Sequence, residues 1–327
     1  MKNDLYLVQL HRIEIDEPLG KECELVPGMN ITNNFRIIEE ILTDNFRKCL
    51  GALEYNSLKQ AKVILYAEVF SGLKTDSEAQ GFLIKILAYA RNFLHSLWML
   101  KDNAVGTEMG FARTYINGRE MAQSNFFSGR NSTADGKEPT IKFSRNELRT
   151  AIRISNDFLG PLSSEKPDVP ISCLLEYMRS PRVGSHPDLS RLTRALYFLS
   201  SARSDFDPGM KLVQYFTVLE TLFSTDSSEL SHKLSQRIAL FLGNTSEEKI
   251  RIFTRVKKLY GYRSKVVHGD VIKGGSDDIF KLAIEADEIN RRIFNKIYSS
   301  PEIFNLFQDK KEALEDYFLK TSLGCPL

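Results

Sequence analysis

The sequence predicts an α+β half followed by an all-α half. Three observations carry that expectation. Alternating and β-branched runs, with the strongest hairpin signal, are confined to the first half. Pro161, Pro167 and Pro170 interrupt the chain among serines and charges. After them come capped amphipathic helices with no strand-like alternation. The expected organisation is therefore a mixed α+β domain over 1–165, a linker over 166–184 and a helical domain over 185–327.

In the first half, Leu5, Leu7, Ile13 and Ile15 keep a partial period of two suited to strands. Phe35, Ile38, Ile41, Leu42, Phe46 and Cys49 recur at helical spacing and predict one helix. Lys62 to Phe70 is a β-branched and aromatic run of strand length, which a short buried helix would resemble. Phe82, Ile86, Tyr89, Phe93 and Leu97 place a helix over Ser77 to Lys101. Phe111–Ile116 and Arg119–Phe127 flank Asn117-Gly118, a dipeptide that accepts the positive φ angles of a tight hairpin turn. Ser128 to Pro139 has almost nothing apolar to bury and reads as an exposed loop. Ser144 with Glu147 is a capping box before a helix ended near Gly160.

The second half reads as six helices. Asp188 to Arg203 is followed by a helix capped by Asp207 with Pro208 in its first turn, running to Phe223. A third starts at Ser228 and stops at Gly243-Asn244. Thr245 and Glu248 cap a fourth that ends at His268-Gly269, a fifth runs from Asp277 or Asp278 to Ile297, and Ser300-Pro301 begins a sixth ending near Leu319.

Composition narrows the function classes. Among 327 residues, 42 % are hydrophobic and 26 % charged, which excludes a disordered, collagenous or rod-like chain. Forty-four Lys and Arg against forty-two Asp and Glu leave a net charge of +2, so any affinity for nucleic acid must be local. Four scattered cysteines without a C-x-x-C pair point to reduced thiols. Met1 to Leu5 passes straight into alternating sequence with no apolar leader, and no apolar run approaches the roughly 20 residues of a membrane span. A cytoplasmic location and no membrane partner are expected. Five histidines and four cysteines stand nowhere at ligand spacing, so no metal and no cofactor are expected. P-loop, G-x-G-x-x-G and G-x-S-x-G motifs do not occur. His186 and His232 read as surface residues, and Arg91 with His95 as packing partners beside Trp98.

The fourth helix concentrates charge. Lys249, Arg251, Arg255, Lys257, Lys258, Arg263 and Lys265 follow one another with no acid among them. Either the face is solvated and matched by acids such as Asp277, Asp278, Glu285 and Asp287, or it meets a phosphate-bearing partner, with Lys257, Lys258 and Lys265 as the candidate contacts. An apolar stripe reads through Ile250, Phe253, Val256, Tyr260 and Val267, with Arg263 where an apolar residue belongs. A guanidinium there needs a partner, whether an internal acid such as Glu220 or a cleft or second chain. His268 lies in the last turn, where the negative end of the helix dipole favours a cation; it suits a proton carrier or a C-cap equally. Five residues apart is about 140° of rotation, so Arg263 and His268 do not share a face. Two-fold pairing of the helix with its copy would gather two of each around one groove.

The R-x4-H pair of Arg263 and His268, in Tyr262-Arg263-Ser264-Lys265-Val266-Val267-His268-Gly269, is similar to the signature of the HEPN superfamily. Ala195-Leu196-Tyr197-Phe198-Leu199, then Lys211 through Leu219-Glu220-Thr221-Leu222-Phe223, then Leu234-Ser235-Gln236-Arg237-Ile238-Ala239-Leu240 complete an ordered series. Together they resemble the Apea-like HEPN domains of bacterial proteins over roughly residues 185 to 300.

The resemblance implies an antiparallel HEPN-like helical bundle that forms a homodimer through the motif helix. It further implies a metal-independent endoribonuclease, with a place in antiphage defence or a toxin system. Arg263 and His268 would be catalytic, Ser264, Tyr262 and Glu220 supporting, and RNA or a nucleotide the partner. Ser264 departs from the Asn, Asp or His that many nuclease members carry after the arginine, and is shorter. The superfamily's other mode, a non-catalytic nucleotide- or RNA-binding or protein-interaction module, is the alternative reading.

Overall fold

A computed structural model describes residues 3–21, 23–26, 28–69, 72–156, 189–225, 230–270, 276–308 and 311–325. The chain forms two compact units, Met1–Asn131 with Glu138–Pro181, and Ser132–Lys137 with Arg182–Leu327. The linker expected over 166–184, the helix stop at Gly160, and His186 lie outside the described residues.

The first unit is built on a six-stranded antiparallel sheet in the order β3-β4-β5-β1-β6-β7. Its strands are β1 (Asp4–Leu10), β3 (Glu24–Val26), β4 (Met29–Thr32), β5 (Val63–Val69), β6 (Thr107–Ile116) and β7 (Arg119–Gly129). A separate parallel pair joins β2 (Ile13–Ile15) to β8 (Ile141–Phe143). Period-2 alternation sends Tyr6, Val8, Leu65 and Ala112 to one core and Leu5, Leu7, Ile64 and Phe111 to another. Leu83, Leu87, Phe93 and Leu97 of helix α4 (Asp76–Leu100) cover the first face, joined by Leu148 of α5 (Arg145–Ile154). The second face meets α1 (Phe35–Ile41), α2 (Asp44–Leu50) and α3 (Ala52–Gln60) through Ile38, Phe46 and Leu58.

Three expectations for the first half of the chain need correction. The single helix over Phe35 to Cys49 is two, because Thr43 turns to accept the Phe46 N–H and starts α2 anew; Cys49 is exposed. Residues 52–60, not foreseen as helix, form α3. Within Ser128 to Pro139 the expected exposed loop is corrected at Asn131, Ser132, Thr133 and Ala134, which are buried, while Arg130, Lys137 and Pro139 are exposed. Its polar groups replace apolar burial with hydrogen bonds: Asn131 Nδ2 donates to the Val105 carbonyl at 2.6 Å, and the Ser132 N–H to the Arg203 carbonyl at 2.8 Å.

In the second unit the helices are α6 (Arg191–Ser204), α7 (Pro208–Phe223), α8 (Leu230–Leu242), α9 (Ser246–His268), α10 (Ser276–Ile297), α11 (Pro301–Gln308) and α12 (Lys311–Leu323). The helix expected to run from Pro301 to near Leu319 is therefore two elements. Helix α7 packs against α6, α8, α9 and α10. Asp207 caps it by accepting the Met210 N–H, and Pro208 occupies its first turn, where a missing N–H costs least. Tyr215, Phe216, Leu219, Leu222 and Phe223 are all fully buried on it, and Phe223 meets Phe241, Phe307 and Phe318 at centroid distances of 5.5, 5.6 and 5.9 Å. Asp287 of α10 is buried too, accepting from Tyr215 Oη at 2.9 Å and Arg291 Nε at 2.7 Å. It belongs to this core and is not one of the acids that match the basic helix face.

The segment Ser132–Lys137 is part of this unit. Lys211, with no exposed surface, donates to the Ala202 and Ser132 carbonyls. Gly136 has φ +77°, and a Cβ there would stand 2.2 Å from the Phe206 carbonyl oxygen. Gly118 in the β6–β7 turn has the same φ but open space around it. Gly136→Ala is therefore expected to cost at least about 3 kcal/mol, and Gly118→Ala only the left-handed backbone penalty of about 1 kcal/mol. Urea unfolding of the two variants side by side measures the difference; equal losses would show that the Phe206 contact yields freely.

Candidate functional site

Helix α9 positions the basic residues. Thr245 caps it by accepting the Glu248 N–H, and the Glu248 carboxylate accepts the Asn244 N–H in return. At the other end the Gly269 and Asp270 N–H groups take up the Val266 and Lys265 carbonyls. The helix is shallowly seated: of 23 residues only Ile252, Val256 and Leu259 are buried. Ile250 is 67 % exposed and Val267 50 %, which corrects the expected stripe. The true inner line is rotated by roughly 60° and runs Ile252, Val256, Leu259, so that Arg263 is its next member.

Arg263 meets Glu220 of α7 on that inner side, Nη2 to Oε1 3.4 Å apart, with both side chains about one-fifth exposed at 22 % and 20 %. The guanidinium also lies 5.6 Å from the ring centre of Tyr260, one turn earlier, and Tyr260 stands edge-on to Phe216 at 5.6 Å. At 3.4 Å the carboxylate attracts without forming a good hydrogen bond, and both Arg263 Nε and Glu220 Oε1 are buried without a hydrogen-bond partner. Burial accordingly pushes the Glu220 carboxyl pKa up, against the opposing pull of the Arg263 charge and the Tyr260 hydroxyl. Tyr260 is pushed up as well, first by burial and then by the Glu220 charge.

His268 is exposed in the last turn and is not brought to Arg263 within one chain; the two lie about 140° apart around α9. Lys257, Lys258 and Lys265 are exposed and form no ion pair among the described residues, nor do Lys249 and Arg251. Lys265 Nζ stands 5.3 Å from the centre of the half-buried Tyr262 ring. Ser264 is half-buried, and its hydroxyl makes no hydrogen bond among the described residues. Of the acids expected to match the face, Glu285 is paired with Arg255, while Asp277 lies among side chains outside the description. Tyr260 is the member of the cluster that motif reasoning missed, although its i−3 spacing from Arg263 signals the contact. His95 is buried on α4. Among the described residues no group of three or more His, Cys, Asp or Glu gathers as a metal cage, and no helix is long and apolar enough to cross a membrane.

No family model, no curated protein and no solved structure matches the chain.

The raised Glu220 pKa sets a direction for stability. A carboxyl that holds its proton more tightly when folded adds stability that is complete below its unfolded pKa and is lost as pH rises through its folded one. The neutral isostere Glu220→Gln is thus expected to gain on wild type as pH is raised from about 4 to about 8. Urea midpoints of both proteins across that range check it. A variant that loses ground as pH rises would mean the Arg263 attraction outweighs burial.

Proposed function

We propose that the chain is a metal-independent endoribonuclease of HEPN type, working as a dimer through α9, with a role in bacterial defence or a toxin system. The observation that carries this reading is the construction of α9. It is barely buried, bears a half-buried arginine backed by Glu220 and Tyr260, and ends in an exposed histidine beside lysines that form no ion pair among the described residues. A helix with that little of its surface covered suits a second copy lying against it, which would bring the arginine of one chain toward the histidine of the other.

In such a site His268 takes the proton of an RNA 2′-hydroxyl as that oxygen attacks the adjacent phosphorus. The bond from phosphorus to the 5′-oxygen breaks, and the leaving oxygen receives a proton from the second imidazolium. Arg263 stabilises the negative charge that gathers on the phosphate oxygens, with Glu220 orienting the guanidinium. The products are a 2′,3′-cyclic phosphate and a 5′-hydroxyl. Lys257, Lys258 and Lys265 hold the strand by its phosphates.

The second reading, a non-catalytic module that binds RNA, a nucleotide or a protein, is favoured by two features: Glu220 already engages Arg263 within a single chain, and the Ser264 hydroxyl makes no hydrogen bond among the described residues. The two readings separate in one assay. The purified chain is expected to cut single-stranded RNA in EDTA, and His268→Ala to slow cutting by about a hundredfold or more. Because His268 is exposed, its unfolding midpoint should not move. Undiminished cutting by the variant overturns the catalytic assignment, and salt-sensitive binding without cutting by wild type establishes the module.

A further inference from the structure

The first turn of α8 and the middle of α9 border an open depression of about 510 Å³ lined by Leu230, Ser231, His232 and Lys257. Its walls combine apolar and cationic character and carry no carboxylate among the described residues. The exposed His232 ring is braced edge-to-face against Phe253, 5.2 Å between centroids, and Lys257 Nζ stands 5.7 Å from the same Phe253 ring. Phe253 thus contacts both the imidazole and the ammonium that line one hollow. Lys257 is exposed and forms no ion pair among the described residues. An exposed planar ring and an exposed ammonium lining one hollow are the pairing that recognises a nucleotide: stacking for the base, charge for the phosphate.

We propose that this depression is a subsite for one nucleotide of a single-stranded RNA, held by His232 and Lys257 away from the Arg263–His268 centre. The proposal rests on the nuclease reading for the direction of the strand. Lys257 and His268 are eleven residues apart on α9, about 16 Å along the axis and within about 20° in rotation. A strand anchored at Lys257 therefore follows one exposed face past Gly261 and Lys265 to His268. Gly261 leaves that path bare, since a Cβ there would meet nothing within 4 Å. His232 and Lys257 are positioning residues that set affinity and do not take part in bond breaking.

The test uses the full-length protein and a fluorescein-labelled oligouridylate of about twelve nucleotides. His232→Ala is expected to weaken binding about tenfold and to raise KM with kcat unchanged, and His232→Phe, which keeps a stacking face, to recover most of it. Lys257→Ala should lower the slope of log affinity against log salt by about 0.7. Polyglutamate should not displace the oligonucleotide. If wild type cuts RNA and both alanine variants cut with wild-type KM, the subsite is wrong while the nuclease reading stands. If the variants bind more weakly but wild type never cuts, the subsite stands and the nuclease reading falls. Displacement by polyglutamate would make the hollow an acidic-peptide site and overturn the proposal, as would a wild type that binds no RNA.

Discussion

Helix α7 imposes the constraint on which the helical unit depends, because it is buried along its length and yet carries polar groups inward. Each such group requires a partner, since a polar atom taken from water without one costs on the order of 1–3 kcal/mol. Lys211 finds the Ala202 and Ser132 carbonyls, which draws in the segment Ser132–Lys137. Tyr215 finds Asp287, which in turn holds Arg291 on α10. Glu220 finds Arg263 on α9. At the end of the helix, Arg191 donates to the Thr221 and Ser224 carbonyls and Arg237 to that of Phe223, neutralising the negative pole. Apolar packing makes the bundle compact, but these four pairings specify which neighbour lies on which side of α7. The site inherits its geometry from the third of them.

Much of the fold was legible because local signals agreed with tertiary ones. Asn117-Gly118 sits in the β6–β7 turn, the Ser144–Glu147 capping box opens α5, and Asp207-Pro208 opens α7, all as spacing and turn chemistry required. The failures have physical causes. Every residue of β1 is buried on one face or the other, so its alternation separates two cores and not core from solvent, and the period reads as partial. The stretch from Asn131 to Ala134 is buried through backbone and amide hydrogen bonds, which leave no apolar trace in sequence. The break between α1 and α2 rests on one threonine hydroxyl inside an otherwise continuous helical period.

The site was legible unequally. Arg263 announced itself as a cation on an inner line, and Glu220 as the buried acid able to meet it. The stripe around it was read about 60° off, because Ile250 and Val267 are apolar yet exposed on a helix that buries so little. Apolar side chains left outside distort a periodicity reading, whereas a charge on the inside survives it. His268 could be placed in the last turn from Gly269 alone, but its face could not be linked to Arg263 by any spacing rule within one helix.

The imperfect match between Arg263 and Glu220 bears directly on what the arginine can do. A bidentate guanidinium–carboxylate pair would spend its donors on the acid and leave little for a phosphate. Here Nη2 stands 3.4 Å from Oε1, Nε has no partner, and burial outweighs attraction in setting the carboxyl's proton affinity. The pair therefore orients the guanidinium without satisfying it. An anion reaching the partly exposed side chain would meet an arginine already aimed and still short of acceptors, with the cost of ordering it met by the fold. Tightening the pair would secure the helix and weaken the proposed site, so the looseness of this contact is where stability and activity are set against each other.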